Sequence, residues 1–247
     1  MLGPSTAESR RRNLRSYFGL IGSSFVSNTG NAFSNLAIPL YVLETTGSAS
    51  QTGIIAVANY VPPIVASIFG GALVDRIGRR RTLLISDGLS FLSTASIPLL
   101  HVLDQLNFPL LILLVAIGAF LDAPGRTARG AMLPSFADRA GIRPERAQSL
   151  NQSGFFIAQT VGPALAGLVV ATSGAATALW VNAGSFVFSM LIVGILVETP
   201  PVTARTVPQT YLDDLREGYR FVFHDPFLRA MLFFVCGFTA FFAPLYS

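Results

Sequence analysis

Six apolar runs lie at residues 17–43, 52–74, 82–103, 107–127, 150–171 and 177–197. Each is near the roughly 20 residues that an α-helix needs to cross a bilayer. The stretch from Gln51 to Val74 holds no charged residue, and the one from Thr82 to Leu103 holds only Asp87 and His101. Runs of this length have too little polar surface between them to fold as a water-soluble core. Charged residues make up 12% of the chain and hydrophobic ones 51%, whereas a soluble domain carries about 25% charge. The mean hydropathy is +0.57. The expected architecture is an all-α membrane protein.

The arginines set the expected orientation. Arg10, Arg11, Arg12 and Arg15 precede the first run, and Arg76, Arg79, Arg80 and Arg81 lie between the second and third. Arg126, Arg129, Arg139, Arg143 and Arg146 are read as the connection between the fourth and fifth. Arg205, Arg216, Arg220 and Arg229 follow the sixth. The intervening loops, around Glu44, Asp104 and Ser173, carry none, so all the basic residues are expected on one side. The positive-inside rule makes that side cytoplasmic, N-terminus included. Residues 1–16 then form a cytoplasmic segment and 17–197 a six-helix transmembrane bundle. The uncharged run after Arg15 is too long for a signal peptide and reads as a retained span.

Residues 198–226 are expected to be a cytoplasmic linker, with Pro200, Pro201 and Pro208 marking it. Thr210-x-x-Asp213 resembles a capping box, and Leu212, Leu215, Tyr219 and Val222 follow at helical spacing, so a short amphipathic helix is expected on the membrane surface. Residues 227–247 read as a seventh transmembrane helix that runs into the end of the chain, as in a truncated protein.

Several function classes fall away. There is no lysine, hence neither a Walker-type phosphate loop nor a Schiff-base lysine. One cysteine, Cys236, and two histidines, His101 and His224, offer no metal constellation. No metal and no cofactor are expected. The basic residues do not form a face interleaved with aromatics, so no nucleic-acid partner is expected. An intramembrane enzyme would need a nucleophile and base at matching depth, and Gly184-Ser185 has no histidine to pair with.

The turn between the second and third runs is the most specific motif. Gly71-x-Leu73-x-Asp75-Arg76-x-Gly78-Arg79-Arg80 resembles the signature loop between helices 2 and 3 of the major facilitator superfamily. Gly78 can take a positive φ and reverse the chain. Gly71 is expected to let helix 2 pack closely on a neighbour, and Asp75 to interact with a helix N-terminus. Ser24-x-x-Ser27-x-x-Gly30, Thr46-Gly47-Ser48, Leu121-Asp122-Ala123-Pro124 and Leu133-Pro134 fit the same family. So does Gly162-Pro163-Ala164-Leu165-Ala166-Gly167, which resembles the helix 5 pattern of proton-linked antiporters, with Ala158 and Ala166 where glycine is usual. Together they are similar to the bacterial exporter branch that contains siderophore and macrolide efflux proteins.

That resemblance implies the N-terminal six-helix bundle of the major facilitator fold plus the start of a second bundle, with the rest of that second transporter half missing. It implies a multi-pass protein of the bacterial cytoplasmic membrane that exports a small molecule by alternating access; proton antiport, with a carboxylate supplied by the missing half, and uncoupled transport both stay open. The signature loop would latch the cytoplasmic gate, and Gly162, Pro163 and Gly167 would bend helix 5. An importer of small nutrients shares the fold, and a non-transporting sensor or partner subunit is the other alternative.

Polar residues within the runs mark an expected cavity. Ser24, Asn28, Asn31 and Asn35 share a stripe on helix 1 with Ser27 and Ser34, Gln152 and Gln159 lie two turns apart on helix 5, and Asn182 lies on helix 6 with Ser185 and Ser189. Unpaired amides avoid lipid, so they line a wet cavity or tie helices together. Amides with aromatics (Tyr60, Phe155, Phe156) suit an amphipathic or neutral organic substrate. Asp87 and Asp122 are the buried acids. Both are placed towards the cytoplasmic ends of their helices as gate groups, with Asp122 and Arg126 at ion-pair spacing. No carboxylate is expected at mid-membrane.

Overall fold

The computed structural model describes residues 4–198, 224–231 and 234, apart from the side chains of residues 4–8, Ala72 and Asp75. Within 4–198 the chain forms six helices: α1 (Pro4–Thr46), α2 (Ala49–Ile77), α3 (Arg79–Val102), α4 (Phe108–Arg139), α5 (Pro144–Ser173) and α6 (Ala175–Leu196). The expected linker helix, with Thr210, Asp213 and Val222, lies outside the described residues, as does most of the expected seventh helix. The second compact unit is described only at helical residues 226–231 and around them. There Asp225 Oδ1 accepts from the backbone N–H of Phe227 (2.8 Å) and of Leu228 (3.3 Å).

Local chemistry explains where the helices break. Ser48 caps α2 by accepting from the Gln51 N–H at 3.3 Å, and Asn107 caps α4 by accepting from the Leu110 N–H at 2.9 Å. Gly78 separates α2 from α3 in a single residue with φ 92°, a conformation that a side chain would strain. Two spans differ from expectation. α1 begins at Pro4, so the segment expected to precede the bundle continues the first helix. α4 runs 32 residues to Arg139, well past the expected end at 127, because its arginines are accommodated inside the helix.

Five of the six helices, α2 to α6, are long and apolar enough to cross a membrane. α1 is not among them, and its amide and hydroxyl stripe is the reason. The bundle buries the serines of that stripe and half-buries its asparagines, packing α1 against α6 and α5. α3 packs between α4 and α6, and α2 lies on α4. Lipid gives apolar faces no hydrophobic reason to associate, so close packing and polar contacts hold such bundles together. A Cβ at Gly30 would stand 2.6 Å from Asn182 Oδ1, and one at Gly162 would stand 2.6 Å from Ala32 Cβ. These two positions let α6 and α5 close on α1.

The interior is layered. One apolar cluster, with Tyr17, Leu20, Leu83, Met132 and Phe136, lies towards the arginine-bearing loops. A second, with Phe33, Val42, Ile55, Leu111 and Leu179, lies towards the opposite loops. Between them sits a polar layer contributed by α1, α3, α4 and α6.

Candidate functional site

The polar layer contains two carboxylates in different surroundings. Asp87 on α3 is fully buried, and Arg129 on α4 is 6% exposed. The Arg129 Nη2 donates to Asp87 Oδ1 at 2.6 Å and to Oδ2 at 2.8 Å. Ser189 on α6 donates from its hydroxyl to Asp87 Oδ2 at 2.7 Å, and Arg129 Nη1 donates to Ser27 Oγ on α1 at 3.2 Å. Four helices thus meet on one ion pair. Arg129 is a correction to the sequence reading, which placed it in the connection between the fourth and fifth helices. It lies inside α4, neutralised by an acid 42 residues earlier. Helical spacing carried a signal for this, since Asp122, Arg126 and Arg129 fall at i, i+4 and i+7 on one stripe.

Asp122 lies near the midpoint of α4, because that helix continues to Arg139. The sequence reading placed Asp122 near the end of the fourth helix; the length of α4 puts it well inside. Asp122 Oδ2 accepts from Asn31 Nδ2 at 3.1 Å and pairs with Arg126 Nε at 3.4 Å, the i, i+4 pair expected from the sequence. Its Oδ1 is buried without a hydrogen-bond partner.

Asp122 borders a cavity of about 150 Å³, room for several waters. Asn31 and Asn35 of α1, Asn59 and Tyr60 of α2, and Asn182 and Phe186 of α6 are among its walls. Asn59 Nδ2 donates to Asn35 Oδ1 at 2.9 Å, and Asn182 Nδ2 donates to Ser34 Oγ at 2.5 Å. A second opening, about 240 Å³, lies between α1 and α2 beside Asn35, Asn59 and Tyr60. The sequence reading passed over Asn59, although its amide within an otherwise apolar run was the available signal.

The other expected cavity residues divide. Ser24 is buried and Asn28 half-buried, and neither borders these openings. Gln152 and Gln159 are exposed on α5 and line neither opening. Phe155 and Phe156 pack edge-on against each other at 5.9 Å, away from both. Gly162, Pro163 and Gly167 lie within one continuous α5, where Gly162 and Ala166 are buried.

The turn after α2 is tied down by its arginines. Arg80 Nε donates to the Val197 carbonyl at 2.7 Å and its Nη2 to the Gly194 carbonyl at 2.9 Å. A cation there complements the negative end of the α6 dipole. Arg79 Nη1 donates to the Ala131 carbonyl of α4 at 2.8 Å. Gly71 departs from expectation: a Cβ there would meet nothing within 4 Å among the described residues, so it makes no close helix contact in this bundle. Leu73 and Arg76 are exposed. The Asp75 side chain lies outside the described residues.

Long apolar helices around an internal polar chamber define a multi-pass membrane protein. The Major Facilitator Superfamily profile matches residues 20–247, and the chain belongs to that family of transporters. It is 37% identical over 233 residues to the multidrug efflux pump Tap of Mycolicibacterium fortuitum, covering 92% of this chain and 57% of that pump. It is 28% identical over 171 residues to the staphyloferrin A transporter of Staphylococcus aureus, covering 69% of this chain and 43% of that protein. It is also 25% identical over 206 residues to the enterobactin exporter EntS of Shigella boydii, covering 82% of this chain and 48% of that exporter. The chain thus spans about half the length of the curated relatives it matches.

Proposed function

We propose that this bundle forms one wall of the path in a secondary exporter of small organic molecules, working by alternating access against a second bundle of the same fold. The observation that carries the reading is the amide-lined chamber with Asp122, set in the middle of an otherwise apolar bundle. Desolvated polar groups at that depth are costly, and they persist where something polar passes. The names of the relatives, a multidrug efflux pump and siderophore transporters, support export and an organic cargo. Protons are the proposed counter-ion, in keeping with Gly162-Pro163 on α5.

The signature turn is the proposed cytoplasmic latch. Arg79 and Arg80 fasten it to α4 and α6, and Asp75 is the residue proposed to engage the second bundle. Asp75→Asn in the full-length protein should lower efflux of a fluorescent amphipathic dye while membrane insertion stays normal. Unchanged efflux would remove the latch role. A protonophore should abolish the efflux if protons drive it.

The proposed orientation places the N-terminus and the arginine-bearing loops in the cytoplasm of a bacterial cell. With Cys236 first replaced by serine, a cysteine at Ser173 should react with an impermeant maleimide in intact cells, and one at Gly141 should not. The reverse pattern would invert the topology.

A further inference from the structure

We propose that Asp122 is the receptor carboxylate for a protonated amine entering the chamber, and that Arg126 is the placeholder this amine displaces. The proposal rests on the transport reading above and names the substrate chemistry of the same chamber.

Four observations lead to it. First, Asp122 is 5% exposed and its two oxygens are unequally served. Oδ2 takes both Asn31 and Arg126, while Oδ1 is buried with no partner. Burial closes Oδ1 to a ligand in this arrangement, so the donor of an incoming amine takes the place of Arg126 at Oδ2. Second, Asp122 borders a partly open space of about 150 Å³. That volume suits the head group of a substrate rather than the whole of a drug-sized molecule, which needs about 300 Å³ or more.

Third, the Arg126 partnership is built to exchange. Its Nε stands 3.4 Å from Oδ2 and its side chain is 48% exposed, and ion pairs that exposed are worth little. The neighbouring Arg129 is buried at 2.6 Å from its acid and has no such freedom. Fourth, the surroundings suit one positive charge. From α1, α2, α3 and α6 the chamber receives Asn31, Asn59, Thr94 and Asn182, all uncharged. Asp87 and Arg129 neutralise each other nearby. Once Arg126 swings away, a single negative charge remains, faced by the aromatic rings of Tyr60 and Phe186. Tyr60 is 62% exposed, so its ring can meet an incoming cation before the carboxylate does.

The test is equilibrium dialysis on detergent-purified protein with three probes: benzylamine, benzyltrimethylammonium and benzyl alcohol. The first is a cation that donates hydrogen bonds, the second a cation that donates none, the third a neutral donor. Benzylamine should bind at least about tenfold more tightly than either of the others, the worth of one charge-assisted hydrogen bond. Asp122→Asn should erase that preference, and Arg126→Gln should tighten benzylamine several-fold by removing the competitor. Equal binding of the three probes to the unaltered protein overturns the proposal, whatever the variants do. So does a preference that survives Asp122→Asn, or weaker amine binding by Arg126→Gln. The binding readout is independent of transport. Absence of dye efflux with the amine preference intact would sink the export reading and leave the receptor site standing.

Discussion

Asp87 and Asp122 look alike in sequence: each is an acid inside a long apolar helix, and each finds an arginine on α4. Their surroundings make them opposites. Asp87 is fully buried, and both its oxygens are served by Arg129 or Ser189. Asp122 keeps one buried oxygen without a partner, borders a cavity, and shares a half-exposed arginine at 3.4 Å. A carboxylate with both oxygens served is fixed in place, even though Arg129 Nε beside it is buried without a partner. A carboxylate incompletely served beside open space is a place where something can bind. The same residue type therefore acts as a rivet on α3 and as a socket on α4, and the distinction lies in the partners each oxygen has.

The largest effect that could break this comparison is at Arg129. Arg129→Met would leave Asp87 buried with its charge met only by the Ser189 hydroxyl, a loss of about 3–5 kcal/mol for a broken buried pair. Pairing it with Asp87→Leu should restore most of that loss, because two apolar side chains replace two charges that compensated each other. Unfolding in detergent, followed by circular dichroism, reads both variants. If the single variant is as stable as the parent protein, Asp87 is no rivet and the contrast with Asp122 fails.

The sequence exposed some of this arrangement and hid the rest for identifiable reasons. The apolar runs, the Gly78 turn, the polar stripe of α1 and the Asp122–Arg126 spacing are local, and local patterns survive in a one-dimensional reading. Arg129 was hidden because arginine in a hydropathy profile reads as the end of a span. Only the Asp87 carboxylate, brought in from another helix, makes a mid-helix guanidinium tolerable. Gln152 and Gln159 carry less information for a related reason. Their spacing places them on one face of α5 but cannot say what that face meets. The same holds of Gly71, since a small residue permits close packing without supplying a neighbour.

A smaller effect sharpens the comparison by geometry instead of charge. Gly125 lies on α4 between Asp122 and Arg129, and a Cβ there would stand 2.9 Å from Ser86 Cβ on α3. Gly125→Val should therefore push α3 from α4 and strain the Asp87–Arg129 contact, costing about 1–3 kcal/mol as overpacking does. Asn31 reaches Asp122 from α1, so the socket should keep its preference for benzylamine over benzyl alcohol in this variant. Loss of that preference together with the stability would mean that rivet and socket form one network.

The smallest stability change belongs to Asp122→Asn, although its effect on binding should be large. The substituted side chain keeps an oxygen that can accept from Asn31, and it gives up only a pair with an arginine that is 48% exposed. Such pairs contribute about 0–1 kcal/mol, and removing the charge also removes the cost of an unserved anionic oxygen. Unfolding of this variant should therefore match that of the parent within about 1 kcal/mol, while its preference for benzylamine over benzyl alcohol disappears. A structural acid would behave the other way, losing stability first and binding only as a consequence. If Asp122→Asn destabilises the bundle as much as Arg129→Met does, both acids are rivets and the chamber has no socket.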